Sequence, residues 1–100
     1  RKRSVIIILA SSLEEVSFMS ILTAFTEAAM HEAKYKILED GTFFGEIPSC
    51  PGVWANEKTL EECRDVLKEV LEEWIVLKLR DGDQLPSIGG INLNIVVYEA

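Results

Sequence analysis

The chain has 100 residues, of which 48% are hydrophobic and 27% charged, and its formal net charge is −7 at pH 7. This balance is that of a single globular domain and excludes a disordered chain. The acidic charge argues against a basic nucleic-acid-binding surface and favours a basic protein as the partner. Residues 1–30 carry equal numbers of basic and acidic side chains, so the negative excess falls on the residues after Met30.

The first thirty residues contain two predicted elements. The apolar run from Val5 to Ala10 follows three basic residues and resembles a short signal peptide, while a buried strand over residues 4–10 is an equal interpretation. A capping box at Ser12 to Glu15, followed by apolar residues at helical spacing, predicts a helix over residues 13–31. Its glutamates interrupt any stretch long enough to cross a bilayer. We assign residues 1–32 to an N-terminal extension, part of which can lie outside the native fold because later methionines are possible translation starts.

A meander of three short strands is predicted next. Tyr35 and Ile37 alternate with lysines in the first strand, as a half-buried strand requires. The Asp40-Gly41 pair then predicts a type I′ hairpin turn, and residues 43–47 form the return strand, which a proline ends. A Pro-Gly turn leads to a third strand over residues 53–56. The short connections favour antiparallel pairing of neighbours.

A long amphipathic helix follows the strands. Its start is a capping box at Thr59 to Glu62, and its stop is Asp81-Gly82 with Pro86 shortly after. At about 1.5 Å per residue the helix exceeds what a small sheet needs, so we expect its last turns to project or to contact another subunit. Residues 91–98 alternate again and predict a final strand, returned by a right-handed crossover. The predicted core is α+β, with the order β-β-β-α-β.

The segment from Tyr35 to Pro86 resembles the HicB-like antitoxin family. Members of that family show an aromatic-led strand, an acidic-Gly turn, an E-I-P element, a P-G loop and a T-L-E-E helix start in this order. The resemblance implies a partial ribonuclease H-like fold over residues 33–100, with the fourth strand beside the first. It also implies that the protein binds and blocks a small basic HicA ribonuclease toxin, covering the active-site His and the RNA-binding face of that toxin.

Candidate partner-binding residues follow from the energetics of such an interface. Buried aromatic anchors supply affinity, while complementary charge speeds encounter. The predicted partner-binding residues are the aromatic and acidic side chains Asp40, Phe44, Glu46, Trp54 and Glu57. Phe43 is an alternative to Phe44, core packing is the alternative for Trp54, and solvated surface charge is the alternative for the acids. Trp74 lies on the apolar stripe of the helix and is expected to pack in the core.

We expect neither catalysis nor a metal site. Metal-dependent nucleases of the ribonuclease H type need several carboxylates that converge at strand ends, and the predicted strands offer no such set. The chain has one histidine, His31, and its two cysteines stand thirteen positions apart, which is not a zinc spacing. Cys63 is expected in the core and Cys50 as a loop thiol, with a disulfide as the less favoured alternative. We expect no cofactor and a cytoplasmic location.

Two functions stay open at this stage. The first is an antitoxin that occludes a HicA-type toxin; the second is an orphan HicB-like oligomeric binding or regulatory module without a toxin. Only residues 82–100 follow the long helix, so the DNA-binding domain that many family members carry is not expected, nor is direct nucleic-acid or membrane binding. A sheet covered on one face leaves its other face and its edges open, which predicts a homodimer or a higher homo-oligomer.

Overall fold

The computed structural model describes residues 12–91, with side chains from Met19 onward. The elements in chain order are α1 Ser12–His31, β1 Lys34–Ile37, β2 Phe43–Glu46, β3 Trp54–Glu57 and α2 Leu60–Asp81. The predicted α+β class, the N-terminal helix and the order of the strands are confirmed. The strand predicted over residues 4–10 lies outside the described residues, as do residues 92–98 of the predicted final strand. In the part of the chain that is described, neither helix has the length and apolarity to cross a membrane.

The three strands form an antiparallel meander in the order β1-β2-β3. Its first loop, residues 38–42, closes through hydrogen bonds from Leu38 N to Thr42 O (2.8 Å) and from Gly41 N to Leu38 O (2.9 Å). Gly41 has φ +85°, but no described residue other than glycine has a positive φ. The type I′ turn predicted at Asp40-Gly41 is therefore wrong, because the loop is longer than two residues and such loops form around other turn types.

Both ends of α2 lie where the sequence predicts them. The hydroxyl of Thr59 accepts a hydrogen bond from the amide of Glu62 (3.1 Å), which caps the first turn. The Glu62 carboxylate accepts from that hydroxyl (3.1 Å). At the other end Gly82 takes a left-handed conformation with φ +73°, and the amide of Asp83 donates to the carbonyl of Lys78 (2.9 Å). These local bonds satisfy backbone groups that the helix itself leaves unpaired.

The core lies between α2 and one face of the sheet. The side of α2 that packs on β2 and β3 carries Cys63, Leu67, Leu71 and Ile75, all buried. Beneath Cys63 the sheet presents small residues, and the Cys63 thiol lies 3.6 Å from the carbonyl oxygen of Ala55. The edge strand β1 extends beyond this cover, and Ile37 is accordingly 67% exposed.

The helix α1 packs along α2 and belongs to the same core. Phe25 and Ala29 are fully buried, and the chain after α2 returns to α1 through the buried Leu85 and Ile88. The domain boundary predicted between residues 32 and 33 stays a prediction, and the core contains residues from both sides of it. The cysteines are both free and both buried. Cys63 lies in the core as predicted, and the loop residue Cys50 is buried as well.

Candidate functional site

The face of the sheet opposite α2 is covered by no helix among residues 12–91. Side chains alternate along each strand, and the residues paired with Gly45 point toward α2, so their neighbours point away from it. We call this surface the open face; it consists of Lys34, Lys36, Phe44, Glu46, Trp54 and Asn56.

An aromatic pair occupies the middle of the open face. Phe44 and Trp54 occupy diagonal positions on adjacent strands, and their rings stack with centroids 6.0 Å apart and an interplanar angle of 23°. Trp54 is 56% exposed, which excludes the alternative that it packs in the core. Exposed aromatic surface of this kind commonly marks a binding site, because a partner that covers the ring removes apolar surface from water and so gains binding free energy.

Charged side chains flank the aromatic pair. The Nζ atom of Lys36 lies 5.3 Å from the centroid of Phe44, a cation–π contact. The register pairs Glu46 with Lys34 on one side and with Trp54 on the other. Among residues 19–91 the side chain of Glu46 has no hydrogen-bond or ion-pair partner, since the described ion pairs lie at the end of α2. Its carboxylate is therefore available to a ligand.

Asn56 connects the open face to the hairpin turn. Its Nδ2 donates to the hydroxyl of Thr42 (2.8 Å) and to the carbonyl of Phe43 (2.9 Å). The same Thr42 hydroxyl donates to the carboxylate of Asp40 (2.6 Å), as does the Thr42 amide (3.0 Å). These bonds hold the turn against β3, and those from Thr42 lower the pKa of Asp40.

The structure brings together three of the predicted partner-binding residues, Phe44, Glu46 and Trp54, on the open face. Asp40 lies apart in the turn, where its carboxylate already accepts hydrogen bonds. Glu57 is paired with Phe43 in the row that faces α2, and it is half-buried. Asp40, Glu46 and Glu57 therefore do not lie together on the open face. The role of each residue in binding stays a prediction.

The alternative aromatic candidates do not lie on the open face. Phe43 is half-buried and packs against the core, on the α2 side of the sheet. Trp74 also packs against the core, as predicted, with the Nζ atom of Lys78 5.6 Å from its ring centroid. Of the two tryptophans, only Trp54 therefore presents most of its surface to solvent.

The helix α2 carries seven acidic and four basic side chains, the largest local share of the acidic excess. The solvent-facing side of this helix carries an acidic ridge, which we define as Glu62, Asp65, Glu69 and Glu73, all exposed. Like charges at such spacing destabilise a helix by about 0.2–0.5 kcal/mol per pair. The predictions made from the sequence did not include this ridge. Charge periodicity at three- and four-residue spacing would have found it.

Two of the clefts among the described residues lie between α1 and α2. The more apolar one, about 610 Å³, includes Met19, Leu22, Ile75 and Val76 in its lining. The more polar one, about 570 Å³, includes His31 and Arg64. No three His, Cys, Asp or Glu side chains of the described residues are grouped as metal ligands.

The buried thiols are poor nucleophiles at neutral pH. Burial raises the pKa of Cys50 to about 11, with a smaller contribution from the nearby Glu32 charge. Burial also raises the pKa of Cys63, and the charge of Glu57 adds to the rise. A thiol attacks as its thiolate, so these environments disfavour reaction.

Comparison with known proteins identifies a family and a similar structure. The sequence model of the UPF0150-like family matches residues 24–86, which contain the C-terminal part of α1, from residue 24 to His31, together with the whole sheet and α2. The crystal structure of TTHA0281 from Thermus thermophilus is similar, with 38% sequence identity and a TM-score of 0.73. The similarity covers 78% of this chain and 98% of TTHA0281. The search of curated proteins gives no match.

Proposed function

The chain belongs to the UPF0150-like family, and we propose that it is an antitoxin-like protein that binds and occludes a small basic HicA-type toxin. In this proposal the toxin cleaves mRNA in the cytoplasm as one half of a type II toxin–antitoxin pair. The observation that carries the proposal is the stack of the half-buried Phe44 with the exposed Trp54 on the open face. Family membership supports it, because the family is associated with HicB-like antitoxins.

Two surfaces would contribute in different ways. Tryptophan is among the residues most often found at the energetic centre of protein interfaces, so the open face would supply affinity. The net charge of −7 and the acidic ridge would attract a basic toxin and raise the association rate. Occlusion needs no catalytic group from the antitoxin, and we propose that this chain has no enzymatic activity of its own.

The test uses a short basic protein encoded beside this chain. We expect the two proteins to co-purify after co-expression, and the complex to lack the RNA-cleaving activity of the basic protein alone. Trp54→Ala should weaken the complex at least about tenfold, as loss of a central aromatic anchor does. Ile37→Ala is the matched control, since Ile37 is at least as exposed to solvent as Trp54 but lies off the open face.

Two outcomes would contradict the proposal in different ways. A stable complex that still cleaves RNA would show that occlusion is wrong. A complex whose affinity is unchanged by Trp54→Ala would show that the open face is not the binding surface.

The alternative function is an orphan oligomeric module whose open face binds a second copy of the chain. The open face carries both signs of charge, with Lys34 and Lys36 near Glu46, so two copies could pair these groups reciprocally across a two-fold axis. Sedimentation should then show a homodimer or a higher oligomer at micromolar concentration, and Trp54→Ala should dissociate it. A monomer under these conditions would remove this alternative.

A further inference from the structure

We infer that Trp54 and Glu46 form a receptor for a single arginine side chain presented by the basic partner. This inference rests on the proposed function, because it names the chemical group through which that partner would engage the open face. The group bound at this site would be a guanidinium, which is both planar and cationic.

The geometry of the pair suits that group. Glu46 and Trp54 are direct cross-strand partners on β2 and β3. Side chains in such positions have their Cβ atoms about 4.5–5.5 Å apart, so the Glu46 carboxylate is within reach of a cation bound on the indole. A guanidinium stacked on an indole directs its N–H groups outward in its own plane, where a neighbouring carboxylate can accept two of them. An ammonium has no plane to stack and would gain less.

One cation–π contact already exists on the open face. Lys36 places its Nζ atom 5.3 Å from the centroid of Phe44, on the ring that stacks with Trp54. Indole attracts cations more strongly than a phenyl ring does. Among the described residues no cation lies over Trp54, whose ring is therefore the stronger site and the vacant one.

Lys34 is the other cross-strand partner of Glu46, so it is the side chain of this protein that competes with an incoming arginine for the Glu46 carboxylate. Lys34 lies on β1 and Trp54 on β3, so they stand on opposite sides of Glu46. Two strand spacings separate them, about 9.6 Å. An arginine arriving over Trp54 approaches Glu46 from the β3 edge, and no described ion pair joins Lys34 to Glu46.

The probe for this site is N-acetyl-arginine amide, compared with the lysine and citrulline analogues. The indole N–H signals in NMR spectra report on Trp54, and Trp74 serves as an internal reference because it packs against the core. We expect arginine amide to shift the Trp54 signal in a saturable way at millimolar concentration. Lysine amide should bind more weakly, and the neutral citrulline analogue weakest of all.

Variants separate the two halves of the receptor. Glu46→Gln should weaken arginine binding about fivefold, because it keeps the shape and removes the charge. Lys34→Gln should strengthen binding, because it removes the competing cation. Glu72→Gln, at an exposed position of α2 outside both the acidic ridge and the open face, is the matched control and should have no effect. Equal shifts by arginine and lysine, an unchanged affinity in Glu46→Gln, or no Trp54 shift up to the solubility limit would overturn the inference.

The inference and the proposed function fail separately. A toxin complex that Trp54→Ala disrupts and Glu46→Gln leaves unchanged would keep the proposed function and overturn the arginine receptor. Saturable arginine binding in a protein that forms no complex with the neighbouring basic protein would keep the receptor and overturn the proposed toxin.

Discussion

Substitution of Gly45 tests how closely the sheet and α2 approach each other. Gly45 lies in the middle of β2, buried, with Tyr35 and Ala55 as its partners on the adjacent strands. A Cβ atom there would lie 2.8 Å from Cδ1 and Cε1 of Tyr35 and 3.1 Å from the Cys63 sulfur. Carbon atoms make favourable contact at about 3.5–4.0 Å, so the Tyr35 ring would have to move by about 0.7 Å or more.

We expect Gly45→Ala to destabilise the protein for this reason. An extra methyl group in a packed core costs about 1–3 kcal/mol. Alanine also lowers the conformational entropy of the unfolded chain, which offsets about 0.4–1 kcal/mol of that cost. The net loss in unfolding free energy is therefore about 1–2 kcal/mol, and it should lower the melting temperature by roughly 4–16 °C. Urea unfolding followed by tryptophan fluorescence measures it, with an unchanged denaturant slope showing that the folded state stays compact.

A double-mutant cycle tests whether the Tyr35 ring is the group with which the added methyl group collides. If the Tyr35 ring is the main clash, Gly45→Ala should cost about 1 kcal/mol less in a Tyr35→Ala background. Gly52→Ala is the control, because Gly52 has φ +94° and open space around its Cα. Its cost comes from backbone strain and should be the same in both backgrounds. A Gly45→Ala protein within about 0.5 kcal/mol of the parent would refute the packing argument.

Three further predictions concern the cap, the core and a thiol. Thr59→Ala should lower the unfolding free energy by about 1 kcal/mol and Thr59→Ser should restore most of it; equal stability of all three proteins in urea would show that the cap contributes nothing. Leu67→Ala, in the fully buried stripe of α2, should cost about 2–5 kcal/mol in the same assay. Trp54→Ala on the open face, which loses only the cross-strand stack with Phe44, should cost about 1 kcal/mol or less. The folded pKa of Cys50, about 11, lies above the usual value of 9.0, so between these pH values the unfolded chain loses a proton that the folded chain keeps. The unfolding free energy should therefore fall as the pH rises across that range, and it should fall less in Cys50→Ala. Urea unfolding at several pH values measures this dependence. The same slope of unfolding free energy against pH in both proteins would contradict the prediction.

Much of the fold could be predicted from sequence because its signals are local. The cap at Thr59 and the glycine stop at Gly82 each depend on hydrogen bonds between residues a few positions apart, and both were placed correctly. Alternation in the strands and the order of motifs from Tyr35 to Pro86 likewise predicted the meander and the long helix. The same motifs indicated a HicB-like family, and the UPF0150-like family, which is associated with HicB-like antitoxins, matches residues 24–86.

The candidate site was only partly predictable. Phe44, Glu46 and Trp54 were named from residue type, but residue type also suggested Asp40 and Glu57, which lie off the open face. Composition does not predict that Asp40 and Glu57 lie away from the open face, nor that α2 carries an acidic ridge. Both features depend on which side of a strand or helix faces solvent. The turn at Asp40 was likewise misassigned, since its Asp-Gly pair suits more than one loop length.

Alternation divides a strand into two faces, but it does not say which face a helix will cover. On β3 the choice lay between Trp54 and Ala55, and hydrophobicity alone would bury the tryptophan. In the structure α2 packs over Gly45 and Ala55, where even one added methyl on Gly45 would collide with Tyr35 and Cys63. The large ring is therefore excluded from beneath the helix and lies on the open face. Local sequence thus set the elements and their ends, while the close approach of α2 to the sheet decided which side chains remain available for binding.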